Sequence, residues 1–227
     1  MNRVPRIEPR SKTVDPSVKR RFSILNLADL GSGFDLVAAC STRDTSDSIT
    51  EPLNLYGFPA YLKMSMRRFQ RKVHVTTAIK LTQSNVIGAA LQHGLESLRQ
   101  TPESQEFLSV LETAESLEDL SLANEVVLDA AIEGFKFTPR DPNSGYERWT
   151  VRVEEEIKKD LYSTRSLLRI EVGPLAAVCL GHALANQIGV NPEASGLMVE
   201  TYNELRTALR SRAVYLGGLV ALLAGKA

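Results

Sequence analysis

The residues best placed for chemistry in this chain lie in two short stretches where hydrogen-bonding side chains recur at every second position. In the first, 61–66 (YLKMSM) running into Arg67, the side chains of Lys63, Ser65 and Arg67 alternate with Leu62, Met64 and Met66. In the second, 148–153 (RWTVRV), Arg148, Thr150 and Arg152 alternate with Trp149, Val151 and Val153. A period of two predicts a half-buried strand, apolar on one side and presenting a row of donors on the other. Arginine and lysine pair with guanine acceptors, and serine or threonine serves either kind of partner, so such a row suits the edges of base pairs. Near the first row stand further cations, Arg68, Arg71 and Lys72, able to meet a polyanion backbone. Gln83, Ser84 and Asn85 open the helix that follows, where backbone amides and the helix dipole favour a phosphate.

Other chemistries find little purchase. No Ser-His-Asp set, paired-carboxylate cleft or phosphate loop with its lysine can be placed. The cysteines Cys40 and Cys179 and the histidines His74, His93 and His182 are scattered, without metal-ligand spacing. Cys179 reads as a small apolar core residue, and His93 and His182 as histidines packed within apolar helices. The stretch 23–39 (SILNLADLGSGFDLVAA) resembles in part the glycine loop of S-adenosylmethionine-dependent methyltransferases. Asp35 replaces the third glycine of that loop, and the loop-like 40–52 follows where a second strand ending in an acid is needed. The expectation is a non-catalytic protein with no cofactor and no metal.

The elements that position the two rows follow from spacing. Beyond Arg67, Phe69 and Val73 fall at helical intervals, predicting a helix to about Lys80. Thr82 or Ser84 caps a second helix with Val86, Ile87, Ala90, Leu91, Leu95 and Leu98 on its apolar stripe. Thr101-Pro102 and Asn191-Pro192 each pair a capping residue with proline at the first helical position. Acidic helices are expected from 101 to about 137, with a break near 116–122, and 138–145 (TPRDPNSG) reads as a linker. After 148–153 a charged helix carries Ile157, Leu161 and Leu168, and Pro174 starts another to Ile188. A second register stays open in this half, because 167–172 (LLRIEV) also alternates and is followed by two helical segments.

Laid side by side, the halves share a pattern of alternating strand, helix, turn and apolar helix, which suggests an internal repeat. This unit resembles the ribbon-helix-helix DNA-binding family over 61–98 and, more loosely, 148–188. The resemblance implies strands paired into an antiparallel ribbon that enters the major groove of double-stranded DNA, with the second helix holding a phosphate at its N-terminus. Two units in one chain form an intramolecular ribbon, or each pairs with its copy in a dimer. Glu154, Glu155, Glu156 and Asp160 follow the second strand closely, where they repel DNA.

The expected fold is mainly α with minor β: a basic arm and linker over 1–52, a ribbon-helix-helix unit over 53–100, an acidic helical segment over 101–137, a degenerate second unit over 146–190 and C-terminal helices over 191–227. The net charge of zero over 227 residues conceals segregation. Residues 1–24 hold seven Lys or Arg against two acids, 61–80 hold six and no acid, and 103–133 hold nine acids and no Lys or Arg. No apolar run reaches the roughly 18 residues of a spanning helix, and the N-terminus lacks the apolar core of a signal peptide. The expected setting is cytoplasmic and nucleoid-associated. The expected function is sequence-specific duplex-DNA binding, as in a transcriptional repressor or partition-type factor, with likeness to a structural assembly subunit as the alternative. A homo-oligomer or a protein partner is expected, and no membrane.

Overall fold

A single strand leaves its backbone donors and acceptors without partners on both edges, so it must find another. Here β1 (Thr50–Pro59) pairs antiparallel with β2 (Tyr146–Glu154), nearly a hundred residues away along the chain. The computed structural model describes residues 34–43, 49–116, 137–142 and 145–224, and these are mainly α with this one small sheet. The helices among them are α1 (Leu36–Thr42), α2 (Ala60–Thr77), α3 (Gln83–Arg99), α4 (Pro102–Ser116), α5 (Glu155–Leu168), α6 (Val172–Leu184) and α7 (Pro192–Ala224). No single helix among the described residues is long and apolar enough to cross a membrane.

The first strand is not where the alternation placed it. Residues 61–66 lie in α2, and the strand is the preceding segment Thr50–Pro59, whose first three residues fall in the expected linker and whose remainder opens the unit expected from 53. Leu62 and Met66 are one helical turn apart, and Phe69 and Val73 continue the same stripe, all buried. A six-residue alternation fits that stripe as well as it fits a strand, and Met64 on the opposite side is left exposed. The basic-arm boundary at 52 shifts for the same reason: α1 and the start of β1 lie inside it. For the second half the 148–153 register holds, and 167–172 forms the end of α5 and the turn into α6. Thr82, Thr101-Pro102 and Asn191-Pro192 start helices as expected, and α7 runs through Gly196 and Gly217-Gly218 as one helix. The arm and glycine loop over 1–33 and the acidic stretch over 117–136 lie outside the described residues.

The repeat is therefore strand, helix, helix, with each strand ending directly in its first helix. Its internal contacts obey an approximate two-fold axis. Buried Leu62, Met66, Phe69 and Val73 on α2 have the spacing of buried Ile157, Leu161, Thr164 and Leu168 on α5. At the two ends of the ribbon the Ala60 N–H donates to the Gly145 carbonyl at 3.0 Å and the Glu155 N–H to the Ile49 carbonyl at 3.1 Å. Lys158 Nζ donates to Glu51 Oε2 at 2.7 Å, and Lys63 Nζ to Glu147 Oε2 at 2.8 Å. Each of these ion pairs joins one unit's strand to the other unit's first helix. Both first helices end on a left-handed residue, Ala78 and Arg169, whose N–H caps the last turn.

The second helices close the core from below. α3 packs beneath β2, α6 beneath β1, and the two cross each other. Gly94 makes the crossing possible: a Cβ there would lie 2.5 Å from the Cα of Cys179. Burial pushes the thiols of Cys40 and Cys179 up to about 12, which leaves both as protonated apolar fillers. Beside the crossing, Phe34, His93, His182 and Tyr202 form a column of stacked rings, with successive centroids 3.7, 5.5 and 4.1 Å apart. α4 lies along α7, pinned by Arg206 to Glu103 at 2.9 and 3.0 Å.

Two outcomes follow. Gly94→Ala should cost roughly 1–3 kcal/mol through overpacking, whereas Gly196→Ala, with nothing within 4 Å of the new methyl, should gain up to about 1 kcal/mol; urea unfolding of both variants checks the contrast. Burial lowers the pKa of His93, with Glu96 opposing, and lowers that of His182, to which His93 adds. Above the ordinary value of 6.5 both are neutral in folded and unfolded chains, so stability is flat; below it the unfolded chain takes up protons that the folded one refuses. Tm should therefore fall as pH drops from 6.5, before carboxylates such as Glu51 and Glu103 begin to protonate below 4.5, and His93→Phe should flatten that fall.

Candidate nucleic-acid interface

Alternation along the ribbon sorts its side chains into two faces. Leu53, Leu55 and Phe58 from β1 and Trp149, Val151 and Val153 from β2 are buried against the helices, with the Phe58 and Trp149 rings 5.0 Å apart. The outward face carries Thr50, Pro52, Asn54 and Tyr56 from β1 and Arg148, Thr150 and Arg152 from β2. Opposite residues on this face touch. Thr150 Oγ1 donates to Asn54 Oδ1 at 2.7 Å. Arg152 donates to the Thr50 carbonyl at 3.1 Å and to Thr50 Oγ1 at 3.3 Å. The Arg148 guanidinium lies over the Tyr56 ring at 5.1 Å, within cation–π range.

Neither arginine has an ion-pair partner among the described residues, so the outward face keeps its positive charge. The acids expected to spoil this end of the chain are largely matched. Glu154 bonds Arg43, Glu155 pairs with Lys159 at 2.5 Å, and Asp160 pairs with Arg99 at 2.9 Å, leaving Glu156 exposed. Glu51 and Glu147 point to the helix side, where Lys158 and Lys63 hold them. The Lys158 hydrogen bond keeps the Glu51 carboxyl below its ordinary value, and Glu51 raises Lys158 in return.

Among the candidate residues, Arg148, Thr150 and Arg152 thus stand together on one exposed row. Lys63 and Ser65 do not join them, because α2 rather than a strand carries them. Lys63 is spent on Glu147 and lies 5.9 Å from the Trp149 ring, and Ser65 is buried. Arg67, Arg68, Arg71 and Lys72 are all exposed and form a cationic side of α2. Gln83 is exposed at the start of α3, Ser84 and Asn85 are half-buried, and the Asn85 N–H is already given to Thr82 Oγ1 at 3.1 Å.

Asn54 and Tyr56 stand on the candidate face although composition hid them. Their signal was the alternation of Leu53 and Leu55 across them, masked by two prolines and by Gly57. Gly57 sits at φ +64, where the ladder slips between Leu55 and Phe58; this is a bulge with the left-handed residue that glycine adopts freely. Beyond Tyr56 a groove of about 790 Å³ opens against the first turn of α6, lined by Tyr146, Tyr162 and Arg165 among others. Its floor requires Gly173, since a Cβ there would fall 1.8 Å from the Tyr56 carbonyl oxygen.

No protein-family model, curated protein or solved structure matches this chain.

The two faces should separate in experiment. Trp149→Ala should cost roughly 3–5 kcal/mol by emptying the core under the ribbon. Arg148→Ala and Arg152→Ala should change stability by no more than about 0.5 kcal/mol, as for other surface positions; chemical denaturation of the three variants is the measurement.

Proposed function

We propose that this chain binds double-stranded DNA by laying the outward face of the β1–β2 ribbon in the major groove, in the manner of the ribbon-helix-helix proteins it resembles. The observation that carries the reading is the ribbon itself. Two strands from one chain, each followed by two helices, pair antiparallel and turn Asn54, Tyr56, Arg148, Thr150 and Arg152 outward, with no acid interleaved. A two-stranded ribbon has the width of the major groove, and arginine, asparagine and threonine are residues that discriminate base edges there. Arg148 and Arg152 are held by Tyr56 and Thr50, which limits the side-chain freedom lost on docking. Arg67, Arg68, Arg71 and Lys72 supply contacts to the phosphate backbone. On this reading the chain is a non-catalytic, nucleoid-associated regulator of the repressor or partition type.

A second reading has an observation of its own. Val214, Tyr215 and Leu222 on α7 are 65%, 48% and 65% exposed, an apolar strip that suits an assembly subunit or self-association.

Fluorescence anisotropy with random-sequence duplex at about 50 and 200 mM salt tests the first reading. A protein with six or more phosphate contacts loses roughly a thousandfold in affinity across that range. That loss is expected here. Absence of binding even at the lower salt would refute the DNA reading, and a stable co-purifying protein would then favour the assembly subunit.

A further inference from the structure

The two-fold symmetry of the ribbon stops at its surface. On the helix side, equivalent positions carry equivalent contacts: Glu51 with Lys158 and Glu147 with Lys63, Ala60 with Gly145 and Glu155 with Ile49, and the buried stripes of α2 and α5, which share one spacing. The same correspondence sets Leu53 against Trp149 and Leu55 against Val151. Asn54 and Thr150 are both counterparts and direct cross-strand partners, so the axis passes through their hydrogen bond. On the outward side the correspondence fails on both flanks of that pair. Pro52 occupies the place of Arg148, and Tyr56 the place of Arg152. Both outward cations of the ribbon belong to β2, and β1 offers none. The bulge adds to the difference: β1 carries Tyr56 and Gly57 where β2 has no extra residue.

Palindromy in a DNA site mirrors two-fold symmetry in the protein that reads it. When a symmetric ribbon turns through 180° in the groove it presents the same groups to the same bases, and the two orientations are equal in energy. Here the turn exchanges arginines for proline and tyrosine, so the two orientations differ in every flanking contact. We infer that this chain reads a non-palindromic duplex and binds it in one orientation, with Arg148 and Arg152 addressing guanines on one DNA strand and the Asn54–Thr150 pair over the base pair between them. This rests on the proposed duplex-binding function. The arginines are four residues apart on one strand, roughly 13 Å at the rise of a β-strand, which corresponds to about four base-pair steps at 3.4 Å each.

The test is selection by the full-length protein from duplexes with a randomised window of roughly eight base pairs, shorter than one helical turn, so that one ribbon fits and two do not. The expected consensus is asymmetric. Duplexes rebuilt by mirroring its left or its right half should each bind roughly tenfold or more weakly than the selected site, the scale of one lost bidentate arginine contact. Arg148→Ala and Arg152→Ala should each relax the preference at a single position, both on the same DNA strand. A palindromic consensus, or mirrored sites bound as tightly as the selected one, overturns the orientation inference and leaves duplex binding standing. Salt-dependent binding with no consensus overturns base reading by the arginines, and this inference with it. No binding to any duplex at low salt removes the proposed function on which it rests.

Discussion

The pairing of β1 with β2 is the constraint on which the rest of the structure depends. Among the described residues neither strand has another neighbour, so every ladder hydrogen bond of the sheet comes from this one partnership. Forming it brings together segments nearly a hundred residues apart, at a loop-closure cost that local helices do not bear. The contacts that stabilise it are correspondingly broad. The inner faces of both strands are buried against α3, α5 and α6, and the closing hydrogen bonds and ion pairs run from each unit to the other rather than within one. Neither unit has a satisfied strand or a covered apolar face without its counterpart.

From that interlocking comes the division of labour between the faces. The inner face is held by packing and tolerates little variation: Gly94 and Gly173 stand where a single methyl group would strike backbone atoms. The outer face bears less restraint: Arg148, Thr150 and Arg152 are exposed and meet Tyr56, Asn54 and Thr50 across the ladder, while Asn54 and Tyr56 also line the groove toward α6. The two units share the spacing of buried residues on their first helices and the acid–lysine pairs, while their outward residues differ: Pro52, Asn54 and Tyr56 on one strand and Arg148, Thr150 and Arg152 on the other. Two units within one chain can differ in this way, whereas the strands of two identical chains cannot.

The elements outside the repeat brace it. α1 packs on α3, and Arg43 from its end reaches both Gln92 and Glu154, tying the far end of β2 to the helices. α7 lies along α4 and contributes Tyr202 to the ring column that crosses from Phe34 through His93 and His182. Arg212, buried, donates to the Leu168 carbonyl at 2.8 Å and so engages the last turn of α5. These contacts leave Arg148, Thr150 and Arg152 exposed on the outward face of the ribbon.

The sequence by itself determined the helix starts, where a capping side chain and proline act on their own neighbours, and it determined β2, where Trp149, Val151 and Val153 alternate without interruption. It also carried the stripes of α3 and α5 and the mainly α class, since these are properties of short, contiguous windows. The tertiary structure decided which segment became the first strand. Alternation over 61–66 suited strand and helix equally, and only the continuing stripe to Val73, together with a partner strand waiting for Leu53 and Leu55, resolved it. Tertiary structure likewise withdrew Lys63 and Ser65 from the candidate site and supplied Asn54 and Tyr56 in their place. The physical reason is the range of the interactions: helix caps and stripes are set within a few residues, whereas a strand's identity depends on what pairs with it across the chain.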